Sequence, residues 1–248
     1  MKIDTWLLWY DEILENFGFS REDDETCAHY LNDFLKNKGL KVTDLPSSDK
    51  FIVFGAGPSL KRHLKILKNS LSIEKWKEWV LISADGATTA LMEENITPNI
   101  IVTDLDGKME DILKANSQGS YLAVHAHGNN QENLKQYLPE IKNILGTTQS
   151  IPLQNVHNFG GFTDGDRAVF LAVELGAKNI IMAGMDFGTV VTKYSRPDMD
   201  QDTGPADDIK KMKLEYAEKL VKWVEHNTSV SIYNLIEIDN LREILDDL

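Results

Sequence analysis

Asp85, Asp104, Asp106 and Asp164 stand just past the ends of predicted strands, in Ser83-Ala84-Asp85-Gly86-Ala87, Val102-Thr103-Asp104-Leu105-Asp106-Gly107 and Gly161-Phe162-Thr163-Asp164-Gly165-Asp166. Carboxylates that converge repel one another unless a cation holds them. Asp104 and Asp106 are two residues apart, so in a continuing strand they share a face. Hard oxygen ligands with room left for water and phosphate oxygens suit Mg²⁺. An isolated Asp-x-Asp reads equally well as a helix cap plus a loop acid. The second acid pair, Asp164 and Asp166 at the head of another helix, favours a metal held by Asp104, Asp106 and Asp164. Asp85 is open to three roles: metal ligand, acceptor for a substrate N–H or O–H, or helix cap.

Other segments surround this acidic set. Gly55-Ala56-Gly57-Pro58-Ser59-Leu60 follows the first predicted strand. Its glycines permit close backbone approach, and Ser59 can cap a helix whose free N–H groups suit an anion. It fails the dinucleotide fingerprint, because Leu60 stands where a third Gly or Ala is required, and it lacks the Gly-Lys-Ser/Thr of a P-loop. A phosphate contact and a plain strand-to-helix turn both remain open there. His125-Ala126-His127-Gly128 invites zinc, but no third histidine or cysteine accompanies the pair; contact of one histidine with substrate or phosphate is the alternative. In Asn158-Phe159-Gly160-Gly161-Phe162-Thr163-Asp164-Gly165-Asp166-Arg167, Phe159 or Phe162 can stack on a flat ring and Arg167 can neutralise phosphate. Gly184-Met185-Asp186-Phe187-Gly188 is a further glycine-rich strand end.

These residues need a scaffold that brings strand ends together. Short apolar runs at Phe51–Phe54, Val80–Ser83, Ile100–Val102, Tyr121–Val124, Asn143–Leu145 and Ile180–Ala183 read as strands buried on both faces. Helical patterns fall near Ser59–Asn69, Thr88–Glu94, Met109–Asn116, Gln131–Tyr137 and Asp166–Leu175. The alternation predicts an α/β fold: a doubly wound, mostly parallel sheet with helices on both faces. Two amphipathic helices, near Asp4–Phe17 and Arg21–Lys38, precede it and form an N-terminal helical segment. The polar stretch Leu45–Lys50 divides that segment, residues 1–45, from an α/β catalytic domain at 46–248. Tyr194–Asp208 reads as an exposed loop or lid, followed by a helix near Ile209–His226, a strand at Val230–Leu235 and a short acidic helix to Leu248. In an open sheet of this kind, ligands bind beyond the carboxyl ends of the strands.

The net charge of −13 over 248 residues argues against a sequence-independent grip on nucleic acid or an anionic membrane. The single cysteine, Cys27, rules out an internal disulfide and reads as a packing residue among acids. The acidic N-terminus is no signal peptide, and no apolar run approaches a bilayer span. A cytoplasmic enzyme is expected.

Taken in order, the motifs resemble a known family. Asp85-Gly86-Ala87, the run from Ile96 to Asp106, and Thr163-Asp164-Gly165-Asp166-Arg167-Ala168 resemble motifs of thiamin pyrophosphokinases. The stretch from Phe51 to Gly188 is more similar to archaeal 6-hydroxymethyl-7,8-dihydropterin pyrophosphokinases of the MptE type. Gly55–Leu60, His125–Gly128, Gly160–Ala168 and Gly184–Gly188 carry that likeness. Ala87, Asn99 and Gly107 depart from the thiamin pattern, and nothing after Gly188 reads as its β-rich second domain. The resemblance implies Mg²⁺-dependent transfer of diphosphate from ATP to a pterin alcohol, with AMP released. On that reading Asp104, Asp106, Asp164 and Arg167 carry the chemistry. Gly55, Ala56, Gly57, Ser59, Asp85, Gly86, His127, Gly128, Phe162 and Thr163 would contact ATP and the pterin. The expected partners are these small molecules, with a homodimer left open. The alternatives are a metal-dependent nucleotide-sugar glycosyltransferase, a thiamin pyrophosphokinase-like enzyme, and a nucleotide-binding module without turnover.

Overall fold

The structure, a computed structural model, describes residues 1–128, 130–238, 241, 244 and 245. Its strands are β1 (Lys50–Phe54), β2 (Val80–Ala84), β3 (Ile100–Thr103), β4 (Tyr121–Ala126), β5 (Ile144–Thr148), β6 (Val156–His157), β7 (Asn179–Ala183), β8 (Val190–Thr192), β9 (Thr203–Pro205) and β10 (Ser231–Asn234). Its α-helices are α1 (Ile3–Phe17), α2 (Arg21–Leu35), α3 (Leu60–Ser70), α4 (Ile73–Trp76), α5 (Ala87–Glu93), α6 (Met109–Ser117), α7 (Gln131–Tyr137), α8 (Asp164–Glu174) and α9 (Asp208–Asn227). Eight strands form one parallel sheet in the order β10-β7-β1-β2-β3-β4-β5-β6. From β1 the chain winds one way through β2 to β6, then crosses back to β7 on the other side. The crevice between β1 and β7 is therefore the switch point where such sheets bind ligands.

Alternation along each strand sorts the core onto two faces. Phe51 and Val53 of β1 pack with α1, α8 and α9, while Ile52 and Phe54 pack with α3 and α5. A third cluster joins α2, α6 and α7 to Ile101, Leu122 and Val124. The N-terminal helices belong to these cores, since Trp6, Tyr10 and Ile13 of α1 and Leu31 and Leu35 of α2 are buried in them. Burial of each such side chain stabilises the fold by roughly 1.5–3 kcal/mol.

Several boundaries differ from the sequence reading. Helix α2 stops at Leu35 rather than Lys38, because Asn37 turns left-handed at φ 65° and Gly39 N–H closes back on Leu35 O at 2.8 Å. The short elements α4, β6, β8 and β9 carry too few residues to show a period. Tyr194–Asp208 is not simply an exposed loop: β9 lies within it and pairs antiparallel with β8. Tyr194 is buried, and its hydroxyl donates to Glu93 at 2.5 Å. The acidic helix expected up to Leu248 falls mostly outside the described residues. No helix among the described residues is long and apolar enough to cross a membrane.

Candidate active site

A cavity of about 540 Å³ opens at the carboxyl ends of the strands, and all the expected site residues line it except Ser59. Backbone turns at the strand ends aim the side chains. Asp85 (φ 37°), Leu105 (φ 67°) and Phe187 (φ 51°) have positive φ just beyond β2, β3 and β7. Non-glycine residues are strained there and cluster at functional sites. The turn at Leu105 corrects the expected geometry. Strand β3 ends at Thr103, so Asp104 and Asp106 do not share the face of a continuing strand. Instead Leu105 reverses the chain, buries its own side chain, and accepts support from Thr103 Oγ1, to which Leu105 N–H donates at 2.8 Å.

Oxygens of Asp85, Asp104 and Asp106 lie within 4.8 Å of one another. Thr103 O–H donates to Asp85 Oδ1 at 2.5 Å, and a Cβ on Gly107 would stand 2.2 Å from Asp85 Oδ2. Burial and then the charges of Asp164, Asp104 and Asp106 raise the Asp85 carboxyl well above its usual range. Asp106 is pushed to about 7 by burial and by Asp104, and Asp164 to about 7 by burial and the Asp104 charge. Burial also works against the charge of Asp104, but the hydrogen bond and charge of His127, with Asp106 and Arg167, together hold that carboxyl low. His127 Nε2 lies 2.9 Å from Asp104 Oδ2, whereas the buried Oδ1 of Asp104 has no hydrogen-bond partner among the described residues. A hard-oxygen cluster with an unspent buried lone pair fits a divalent cation.

Cations line the same cavity as the acids. Arg167 Nη1 donates to Asp164 at 3.2 Å, and its Nη2 donates to Gln149 Oε1 at 3.1 Å. Gln149 Nε2 donates in turn to the buried Asp24 at 2.7 Å. Asp24 also accepts Tyr10 O–H at 2.5 Å and Gly128 N–H at 2.6 Å, so one carboxylate from α2 supports both the Arg167 side and the His127 turn. Lys210 and Lys213 of α9 line the cavity as well, with Lys213 Nζ 5.5 Å from the Phe19 ring and 5.7 Å from the Phe162 ring. Burial, reinforced by Lys210 and Arg167, lowers the Lys213 ammonium pKa, against the pull of Asp104 and Asp164.

Sequence reasoning missed Asp24, Gln149, Lys210 and Lys213. Asp24 sits in an acidic run that resembles a solvated face, and the lysines sit on a helix remote from every motif. Asp166 lies outside the cavity: it caps α8 by accepting Thr163 N–H at 2.7 Å and Phe162 N–H at 2.6 Å. Phe162 lines the cavity, while Phe159 stacks on His157 outside it. His125 is buried in β4 against Thr147 Oγ1 at 3.1 Å, and burial holds its ring neutral. The loop Gly55–Ser59 does not present an open fan of N–H groups. The Asp186 carboxylate already covers the α3 N-terminus, accepting Ser59 N–H at 3.2 Å and Ser59 O–H at 2.8 Å.

A family model described as "6-hydroxymethylpterin diphosphokinase MptE-like" matches residues 15–192. The chain belongs to this MptE-like family. Three curated relatives carry the name 6-hydroxymethyl-7,8-dihydropterin pyrophosphokinase. The protein of Methanothermobacter thermautotrophicus is 60% identical over 94% of this chain and 99% of its own length. That of Methanocaldococcus jannaschii is 44% identical over 93% of this chain and 98% of its own. That of Pyrococcus furiosus is 43% identical over 94% and 98%. The match runs from the last turn of α1 to the end of β8, so it includes every cavity-lining residue except Ser195 and, on α9, Ile209, Lys210, Lys213 and Leu214.

Proposed function

We propose that this MptE-like protein transfers diphosphate from ATP to the hydroxyl of 6-hydroxymethyl-7,8-dihydropterin and releases AMP, with Mg²⁺ required. The observation that carries the reading is the cluster of Asp85, Asp104 and Asp106 in the same cavity as Arg167 and Lys213, in a chain 60% identical over almost its full length to a protein of that name. Asp104 and Asp106 would hold the ion, with Asp85 completing their cluster and Asp164 available to a second one. Bound there, Mg²⁺ would supply neutralisation of phosphate charge.

The substrate hydroxymethyl oxygen attacks the β-phosphorus of ATP, in line with the oxygen that bridges to the α-phosphorus. The new O–Pβ bond forms as the bridging bond breaks, AMP takes that bond's electron pair, and the hydroxyl proton is released to water. Transfer of this kind asks the protein for position and charge more than for covalent chemistry. Arg167, fixed by Asp164 and Gln149, and Lys213, desolvated against Phe19 and Phe162, neutralise phosphate charge. His127 steadies Asp104 from the far side of the carboxylate.

The test is ATP-to-AMP conversion with Mg²⁺, run in parallel with the pterin alcohol and with thiamin. AMP formation with the pterin alcohol alone is expected. AMP formed only with thiamin, or hydrolysis of UDP- or GDP-sugars in place of AMP formation, contradicts the assignment.

A further inference from the structure

Asp186 is a carboxylate in the cavity that the chemistry above does not use. It follows β7 and lies at the switch-point crevice beside the β1 turn Gly55–Gly57. Its Oδ1 and Oδ2 share Ser59 N–H at 3.2 and 3.3 Å, and Oδ2 accepts Ser59 O–H at 2.8 Å. Gly57 leaves room for this carboxylate and for the Gly184 carbonyl, since a Cβ there would stand 2.0 Å from Oδ2 and 2.6 Å from Gly184 O. Asp186 is half-buried and has no ion-pair partner among the described residues. A carboxylate offers about four lone-pair sites, so these bonds leave acceptor capacity on the cavity side. Met185, Phe187, Val190 and Val191, its near neighbours in the chain, line the cavity with apolar surface.

An apolar-walled crevice edged by an unpaired carboxylate repels phosphate and selects a flat ring that carries adjacent N–H donors. Two parallel N–H···O bonds to one carboxylate are strong and geometrically selective. A 2-amino-4-oxopyrimidine edge has such a pair, its exocyclic amine beside a ring N–H. Adenine alternates donor and acceptor along its edge and cannot make the pair. We propose that Asp186 is a specificity-determining residue that reads the 2-amino-4-oxopyrimidine edge of a bicyclic ring. The inference rests on the pyrophosphokinase reading for the ring's reaction, though the recognition chemistry stands apart from it. Strands β7 and β2 flank β1, so Asp186 and Asp85 follow strands on either side of it and line the same cavity. A ring seated on Asp186 by its amino edge therefore shares one cavity with the acidic cluster.

The same edge occurs on a pterin acceptor and on the guanine of a nucleotide, and the test separates them. The full-length chain and Asp186→Asn, which keeps an acceptor for Ser59 N–H, are compared by AMP formation and by calorimetric titration with GTP. Asp186→Asn is expected to raise KM for the pterin alcohol ~10- to 100-fold and to leave kcat within a few-fold. A ring analogue lacking the 2-amino group, assayed on the unaltered protein, is expected to lose a similar factor without any risk to folding. The same analogue should lose little more on Asp186→Asn, since both changes remove one interaction. Pterin KM within about twofold in the variant, or full activity of the analogue on the unaltered protein, overturns the role of Asp186 and leaves the pyrophosphokinase reading intact. GTP binding that Asp186→Asn abolishes, with no pterin turnover by the unaltered protein, supports the role and defeats that reading. Binding of neither ring overturns both.

Discussion

At the residue scale, the site is an electrostatic conflict resolved by position. Asp85 is buried, Asp164 half-buried and Asp106 exposed at the cavity mouth, yet beside Asp104 all three rise above the ordinary carboxylate range, while His127 helps keep Asp104 ionised. The sign of the pH effect follows. An acid whose pKa is raised in the folded state binds more protons there than in the unfolded chain, so its contribution to stability falls as pH rises from its unfolded value of 3.8 through about 7. A cation needs these acids ionised and removes the repulsion between them. The increase in Tm caused by Mg²⁺ is therefore expected to be small near pH 5 and to grow toward about pH 8, as read by thermal unfolding with and without the ion. A Mg²⁺ increment that does not change across this range would show that these acids do not hold the ion.

At the element scale, turns and a hairpin do the aiming. The β8–β9 hairpin is seated on Gly86, where an added Cβ would fall 1.6 Å from Tyr194 O, and Thr192 O–H ties it to Ala56 O at 2.7 Å. Gly86→Ala must displace that hairpin. The expected cost is about 1–3 kcal/mol, a fall in Tm of roughly 3–10 °C with a raised KM for the ring substrate, checked by calorimetry and steady-state kinetics. The sequence made the sheet legible, because strands buried on both faces leave continuous apolar runs such as Ile52–Phe54 and Ile180–Ala183. It also made the acidic segments legible, because they sit where those runs stop. The left-handed turn at Leu105 was not, since nothing in a leucine announces positive φ. The caps misled in the same way: Asp166 serves α8, and Asp186 covers the α3 terminus that Ser59 was expected to cap.

At the scale of the whole molecule, remote segments complete the cavity. Helix α9 brings Lys210 and Lys213, the turn between α1 and α2 brings Phe19, and α2 brings Asp24. No spacing in the sequence links Asp24 to Gln149, 125 residues away, so their bond was invisible before the fold. The N-terminal pair is thereby tied to the chemistry through Asp24, Gln149 and Arg167. Asp24→Asn exchanges an oxygen acceptor for a donor facing Tyr10, Gly128 and Gln149. It is expected to lower kcat roughly tenfold, as loss of a supporting shell does. Asp24→Glu should restore part of that loss. Full activity in Asp24→Asn would confine the first two helices to packing.

The central claim is that the β-phosphorus of ATP moves as diphosphate at a metal held by Asp104 and Asp106. Phosphorus NMR of a reaction of ATP, Mg²⁺ and 6-hydroxymethyl-7,8-dihydropterin tests it most directly, with Asp104→Asn alongside. The account predicts equal amounts of AMP and a pterin diphosphate from the unaltered protein, and a rate at least ~100-fold lower from Asp104→Asn. ADP with a pterin monophosphate, or undiminished turnover by Asp104→Asn, would contradict it.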